Sequence, residues 1–113
     1  MKALLDTSFI LSAIRNKIDF IDEAQSLGLQ VIVPKQVIVE LQGIAKSKSE
    51  AELALKILKK VKTIDLKTKN TDAGIIKYSK NHKIVIATLD KDIKKKTKNQ
   101  KLVIRGKSKL EIL

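Results

Sequence analysis

Four carboxylates stand out by where they fall in the chain: Asp6, Glu40, Asp72 and Asp90. Asp6 directly follows the apolar run Ala3-Leu4-Leu5, and Asp90 lies three residues past Ile84-Val85-Ile86-Ala87. Both runs read as buried strands, and ligands of an open parallel sheet bind beyond the carboxyl ends of its strands. The two acids are therefore expected on one edge. Asp72 opens a helix, where a carboxylate also serves as a cap or dipole partner. Glu40 sits within a helix beside Val37, Ile38 and Leu41, where a solvated face is the plain alternative. Asp92 has its own alternative, a surface pair with a neighbouring lysine. If the four acids converge to within ~5 Å, each pair repels by about 3 kcal/mol at an effective dielectric of about 20, and a protein keeps such a cluster chiefly by binding cations.

The other residue types narrow the chemistry. There is no cysteine and a single histidine, His82, at an expected helix end where a surface or capping role outweighs ligation. Oxygen-only ligation suits Mg²⁺ or Mn²⁺ rather than zinc. Without a catalytic histidine, a ribonuclease A-type acid–base pair is excluded and a serine nucleophile lacks its base, so the proton work falls to metal-bound water. The four glycines make no phosphate-binding loop. A phosphoacceptor or phosphatase with Asp6 as nucleophile is disfavoured because Ser8 stands where its second Asp belongs.

Charge points to the partner. Residues 1–55 carry six basic and seven acidic residues, whereas residues 56–113 carry eighteen basic and five acidic, within an overall net charge of +12. A one-sided excess of this size favours a polyanion, since each lysine near a phosphate displaces a condensed counterion. The alternative is a lysine-rich surface that serves solubility or heat tolerance. Lys91, Lys94, Lys95 and Lys98, close to Asp90, are the candidates to hold a nucleic-acid backbone. The three aromatics, Phe9, Phe20 and Tyr78, all read as core, so base stacking is expected to contribute little.

The elements that must position these residues follow from periodicity and punctuation. Lys2 to Leu5 reads as a strand, and Asp6-Thr7-Ser8 as the cap of a helix carrying Phe9, Ile10, Leu11, Ala13 and Ile14. A second helix runs from about Ile18 to Leu27 and stops at Gly28. Leu29 to Val33 is a strand, and Pro34 starts a helix with Val37, Ile38, Leu41 and Ile44 on one stripe. Ser49 and Glu52 have capping-box spacing, opening a helix from about Glu50 to Val61. Thr63 to Leu66 is an edge strand, Thr71-Asp72 opens a helix ending near Asn81-His82, and Ile84 to Ala87 is a central strand. Lys91 to Lys98 is a short basic helix, and Leu102-Val103-Ile104 a last strand before a basic tail. Strands alternating with helices indicate a parallel sheet covered on both faces. The length, 113 residues, allows one domain over 1–113. The N-terminus turns acidic at Asp6 before signal-peptide length is reached, and no apolar run is long enough to cross a membrane, so a cytoplasmic location is expected.

Taken in order, Leu5-Asp6-Thr7-Ser8, Val33-Pro34 with Val37-Ile38-Val39-Glu40-Leu41, Thr71-Asp72-Ala73-Gly74-Ile75-Ile76, and Ala87-Thr88-Leu89-Asp90-Lys91-Asp92-Ile93 resemble the signature of the PIN-domain family over nearly the whole chain. The resemblance implies a three-layer α/β/α sandwich with a central parallel sheet, and Mg²⁺- or Mn²⁺-dependent endoribonuclease activity. It assigns metal binding and catalysis to Asp6, Glu40, Asp72 and Asp90, adds Thr88, the family's usual hydroxyl residue beside the last acid, to the catalytic set and Asp92 to the metal ligands, and places Ser8 as the small polar residue after the first acid. Ser8 is thereby a candidate RNA contact. Leu102-Val103-Ile104-Arg105-Gly106-Lys107 resembles free-standing members of the rRNA-processing branch more than VapC toxins. Gly74, where many members carry a larger apolar residue, and a short 45–49 segment depart from the commonest pattern. The partners this implies are RNA, with a homodimer and an antitoxin or ribosome-assembly partner as open alternatives, and no membrane. The rival function is a catalytically silent PIN fold acting as an RNA-binding scaffold.

Overall fold

The computed structural model describes residues 1–106 and 108–113, so Lys107, the end of the segment resembling the rRNA-processing branch, lies outside the described residues. In chain order the elements are β1 (Lys2–Leu5), α1 (Thr7–Arg15), α2 (Phe20–Ser26), β2 (Gln30–Pro34), α3 (Lys35–Ala45), α4 (Ser49–Ile57), a 3₁₀ turn (Leu58–Lys60), β3 (Lys62–Ile64), α5 (Thr71–Asn81), β4 (Ile84–Ala87), α6 (Lys91–Lys96), β5 (Leu102–Arg105) and β6 (Lys109–Ile112). The first four strands form one parallel sheet in the order β3-β2-β1-β4, with Leu5 opposite Ala87, Leu4 opposite Ile32 and Pro34 opposite Ile64.

Side-chain alternation along these strands builds the three layers. Ala3, Leu5, Val31, Val33, Val85 and Ala87 point to a core shared with Phe9, Phe20, Val37, Leu41 and Ala54 of α1 to α4. Leu4, Ile32, Ile84 and Ile86 point the other way, onto Ile75 of α5 and Ile93 of α6. Because every interior strand residue has a helix over it, the runs are apolar throughout rather than alternating with polar residues. The expected α/β/α sandwich is what forms.

Several local expectations change. The strand Ile84–Ala87 is fully buried but stands at the end of the four-stranded sheet, where Ile86 meets only an isolated parallel bridge from Lys101. Beyond it, the basic tail is not a tail: Lys109–Ile112 folds back antiparallel on Leu102–Arg105 as a separate two-stranded ribbon. Leu102 and Leu110 of that ribbon are buried in the α1–α4 side core, which is what anchors it. No capping box forms at α4. Ser49 is already helical, and Lys48 is the N-cap with no side-chain hydrogen bond. The second helix starts at Phe20, capped by Asp19, rather than at Ile18. Tyr78 is half-buried rather than core, stacked on His82 at the C-cap of α5. Among the described residues no helix is long and apolar enough to cross a membrane.

Candidate active site at the carboxyl edge of the sheet

Each of the four parallel strands is followed by one of the four acids. Asp6 comes directly after β1, Glu40 lies on α3 after β2, Asp72 lies on α5 after β3, and Asp90 follows β4. A parallel sheet delivers all of these connections to one edge. There, Asp6, Glu40, Asp72 and Asp90 line a single open hollow of about 370 Å³, together with Thr7, Ser8 and Leu89.

Asp6 is the buried member, 6% exposed. Its backbone N–H donates to the Ala87 carbonyl (2.9 Å), which fixes it against the end of β4. Its Oδ1 accepts from the Thr7 N–H (2.8 Å) and its Oδ2 from the Thr88 hydroxyl (2.7 Å). Loss of water pushes its carboxyl above the usual value. The bonds from Thr88 and Thr7 oppose the rise, and the charges of Glu40 and Asp72 add to it. Thr88, 1% exposed, also accepts from the Asp90 N–H (3.1 Å), so one hydroxyl ties the first acid to the last.

Asp72 is not the cap of α5; Asn70 does that work, its side chain accepting from the Ala73 N–H at 2.9 Å. Asp72 is left at the rim of the hollow. Its carboxyl is also raised, first by loss of water and then by the charges of Asp90, Glu40 and Asp92. Asp90 caps α6, with Oδ1 accepting from the N–H groups of Asp92 (2.8 Å) and Ile93 (3.1 Å). Asp92 pairs with Lys96 at 3.1 Å and does not line the hollow. Ser8 uses its hydroxyl to accept from the Leu89 N–H (3.1 Å), fastening the 88–90 turn to α1.

Glu40 shows what sequence reasoning missed. It is solvent-exposed, yet its two oxygens accept from the hydroxyls of Thr7 and of Thr71 (2.9 Å for Thr71). The side chain thus bridges the first residues of α1 and α5. The available signal was a threonine directly after Asp6 and another directly before Asp72, but nothing in spacing alone told these from ordinary helix-start threonines.

The lysines expected to hold RNA are dispersed around α6. Lys91 and Lys95 are exposed on it, Lys98 lies past its end, and Lys94 is half-buried. Lys94 faces Lys101, whose amine is pushed below the usual lysine value by loss of water and then by the charge of Lys94. Lys101 is held inward, donating to the carbonyl of Thr97 (3.1 Å).

The donor set is carboxylate and hydroxyl oxygen only, which fits Mg²⁺ or Mn²⁺. Among the described residues no three acidic or imidazole groups stand close enough together to ligate one ion directly. Mg²⁺ does not require that, because it keeps several waters and takes one or two carboxylates. Asp6, raised by loss of water and by the charges of Glu40 and Asp72, and Asp72, raised by loss of water and by the charges of Asp90, Glu40 and Asp92, are the groups whose charge a cation would offset.

Residues 3–107 match the family model described as a PIN like domain. The chain belongs to this family. PIN domains are generally nucleases. Among solved structures, the PIN-domain chain is similar to one titled "Structure of the PIN domain endonuclease Utp24", with a TM-score of 0.84 and 21% identity over 98% of this chain and 90% of that one. At that identity the likeness shows the shared fold. Comparison with curated protein sequences finds no match.

Proposed function

We propose that this PIN-domain protein is an endoribonuclease that hydrolyses RNA phosphodiester bonds with the help of Mg²⁺ or Mn²⁺. The observation that carries the reading is the convergence of Asp6, Glu40, Asp72 and Asp90 on one hollow, each delivered by a different strand. One or two of Asp6, Glu40, Asp72 and Asp90 would hold the ion directly and the others through its waters, while Asp92, paired with Lys96 outside the hollow, would add only its charge. A bound divalent ion supplies an acidified water and neutralises charge on the scissile phosphate. The chain's own residues do the rest. Thr88 and the Thr7 N–H orient Asp6, the hydroxyls of Thr7 and Thr71 hold Glu40, and Asp90 is held by its capping bonds, so these three acids are oriented before an ion binds. Lys91, Lys94, Lys95 and Lys98 would attract the RNA backbone, offsetting the negative hollow.

A scaffold without catalysis is the second reading. It is favoured by one observation, the absence of a ready three-acid cage among the described residues. The two are separated by Asp90→Asn. On the nuclease reading, wild type cuts a single-stranded RNA with Mn²⁺ or Mg²⁺ and not in chelator. The variant should lose cleavage by about a hundredfold or more while binding RNA as well or more tightly, since a negative charge facing phosphate is gone. Binding by wild type without cleavage under any divalent ion favours the scaffold.

A further inference from the structure

A groove between the Asp65–Thr68 loop and α5 holds groups that the carboxylate hollow lacks. It encloses about 540 Å³, with Ala73 and Gly74 along α5 and with Lys67, Lys77, Tyr78 and His82 among its lining. Tyr78 and His82, one helical turn apart, stack with ring centroids 3.8 Å apart and planes inclined by 8°. The His82 Nδ1 sits 2.9 Å from the Tyr78 carbonyl oxygen, which fixes the imidazole over the phenol. Tyr78 packs against the core while His82 is exposed, so the pair is a supported aromatic platform at the surface.

The backbone of the facing loop is also fixed at Lys67, whose side chain is exposed. Lys67 has φ 56, a left-handed conformation that side chains other than glycine adopt rarely, and Asp65 Oδ1 accepts from its N–H at 2.8 Å to hold it there. Gln36 of α3 fastens the same loop, donating to Asp65 Oδ1 (3.0 Å) and to the Thr68 carbonyl (3.2 Å). The groove also joins the acids. Glu40 lines both the carboxylate hollow and a middle stretch bearing Lys35 and Lys69, and Asp65 and Thr68 line both that stretch and the groove.

Four lysines, Lys35, Lys69, Lys67 and Lys77, against the two acids Glu40 and Asp65 along the path, and a stacked ring pair at its end, match a polynucleotide strand, with phosphates met by lysines and a base by an aromatic face. We infer that the α5 groove is a second contact site for single-stranded RNA, where one base extends the Tyr78–His82 stack and the neighbouring phosphates meet Lys67 and Lys77. This rests on the RNA reading above and adds the course of the strand away from the acids. It also gives base stacking a part that the scarcity of aromatics in the sequence argued against.

The test is binding of a fluorescein-labelled single-stranded RNA in chelator, where no cleavage is required. His82→Ala should weaken binding by about fivefold or more, as removal of a base-stacking ring does. His82→Trp should bind as wild type does, and its indole fluorescence should be quenched by RNA. Lys67→Gly with Lys77→Ala, the first of which suits the left-handed backbone, should weaken binding more than Lys46→Ala with Lys48→Ala. Equal binding by the alanine and tryptophan variants, or equal losses from the two lysine pairs, overturns the groove. A protein that cuts RNA yet gives either result loses this site and keeps the nuclease reading. One that shows the expected losses but never cuts keeps the site and loses the nuclease reading.

Discussion

Asp6 gives up its hydration on folding and receives two hydrogen bonds in return, yet its carboxyl still lies above the ordinary aspartate value of 3.8. The folded state holds the proton more tightly than the unfolded one, so the stabilising contribution is full below 3.8 and is lost as pH rises through the raised folded value. Asp72 acts in the same direction, discounted for its exposure. At neutral pH without metal, Asp6 is therefore a net liability. Asp6→Asn keeps an acceptor for the Thr7 N–H and can donate to the Thr88 hydroxyl. In chelator at neutral pH it should raise Tm by roughly 4 °C, equivalent to about 1 kcal/mol in a small domain. Millimolar Mn²⁺ should raise the wild-type Tm and leave that of the variant unchanged, since a ligand stabilises only the state it binds. Calorimetry with and without Mn²⁺ checks both signs. Asp6, Asp72 and Asp90 were legible in sequence because each follows a strand or opens a helix, whereas Glu40, in the middle of α3, stood out only through the family resemblance. The hydroxyls of Thr7 and Thr71 that hold Glu40 were not, because their partner is 33 and 31 residues away.

Among the elements, α5 carries the sharpest local conflict. A glycine inside a helix costs about 1 kcal/mol relative to alanine, which makes Gly74 look replaceable. Space decides otherwise: a Cβ at that position would stand 2.5 Å from Thr68 Cγ2, 3.0 Å from Leu66 Cβ and 3.1 Å from Leu66 Cδ1. The loop before α5 lies directly against the helix there. Gly74→Ala should therefore destabilise by about 1–2 kcal/mol in urea unfolding, overpacking outweighing helix propensity. A stabilised variant would mean that the loop yields freely. Patterning made the strand–helix alternation readable, since apolar runs covered on both faces have few other interpretations. It failed where a charged segment folds back: Lys109-Leu110-Glu111-Ile112 alternates as a strand should, but it is too short and too close to lysines to be told from a tail. It failed again at α4, where capping-box spacing was present but helix formation already begins at Ser49.

Across the whole molecule, charge and topology divide the work. The parallel sheet gathers the acids at one edge, and the second half of the chain supplies all of the excess positive charge. If RNA reaches the acids along α6, then Lys94→Ala, Lys95→Ala, Lys98→Ala together should weaken binding by about tenfold or more and flatten the dependence of log affinity on log salt by about 0.7 per lost contact. Lys2→Ala, Lys17→Ala, Lys46→Ala removes the same charge elsewhere and should do much less. Equal losses would mean that only net charge attracts the strand. The reading as a whole depends on whether the acid-lined hollow performs chemistry, and a Mn²⁺ titration of the single-turnover cleavage rate on single-stranded RNA asks that directly. The rate should be nil in chelator, rise with Mn²⁺ to saturation, and stay at the chelator level throughout for Asp90→Asn; a rate independent of the ion, or no cleavage by wild type at any concentration, would contradict the assignment.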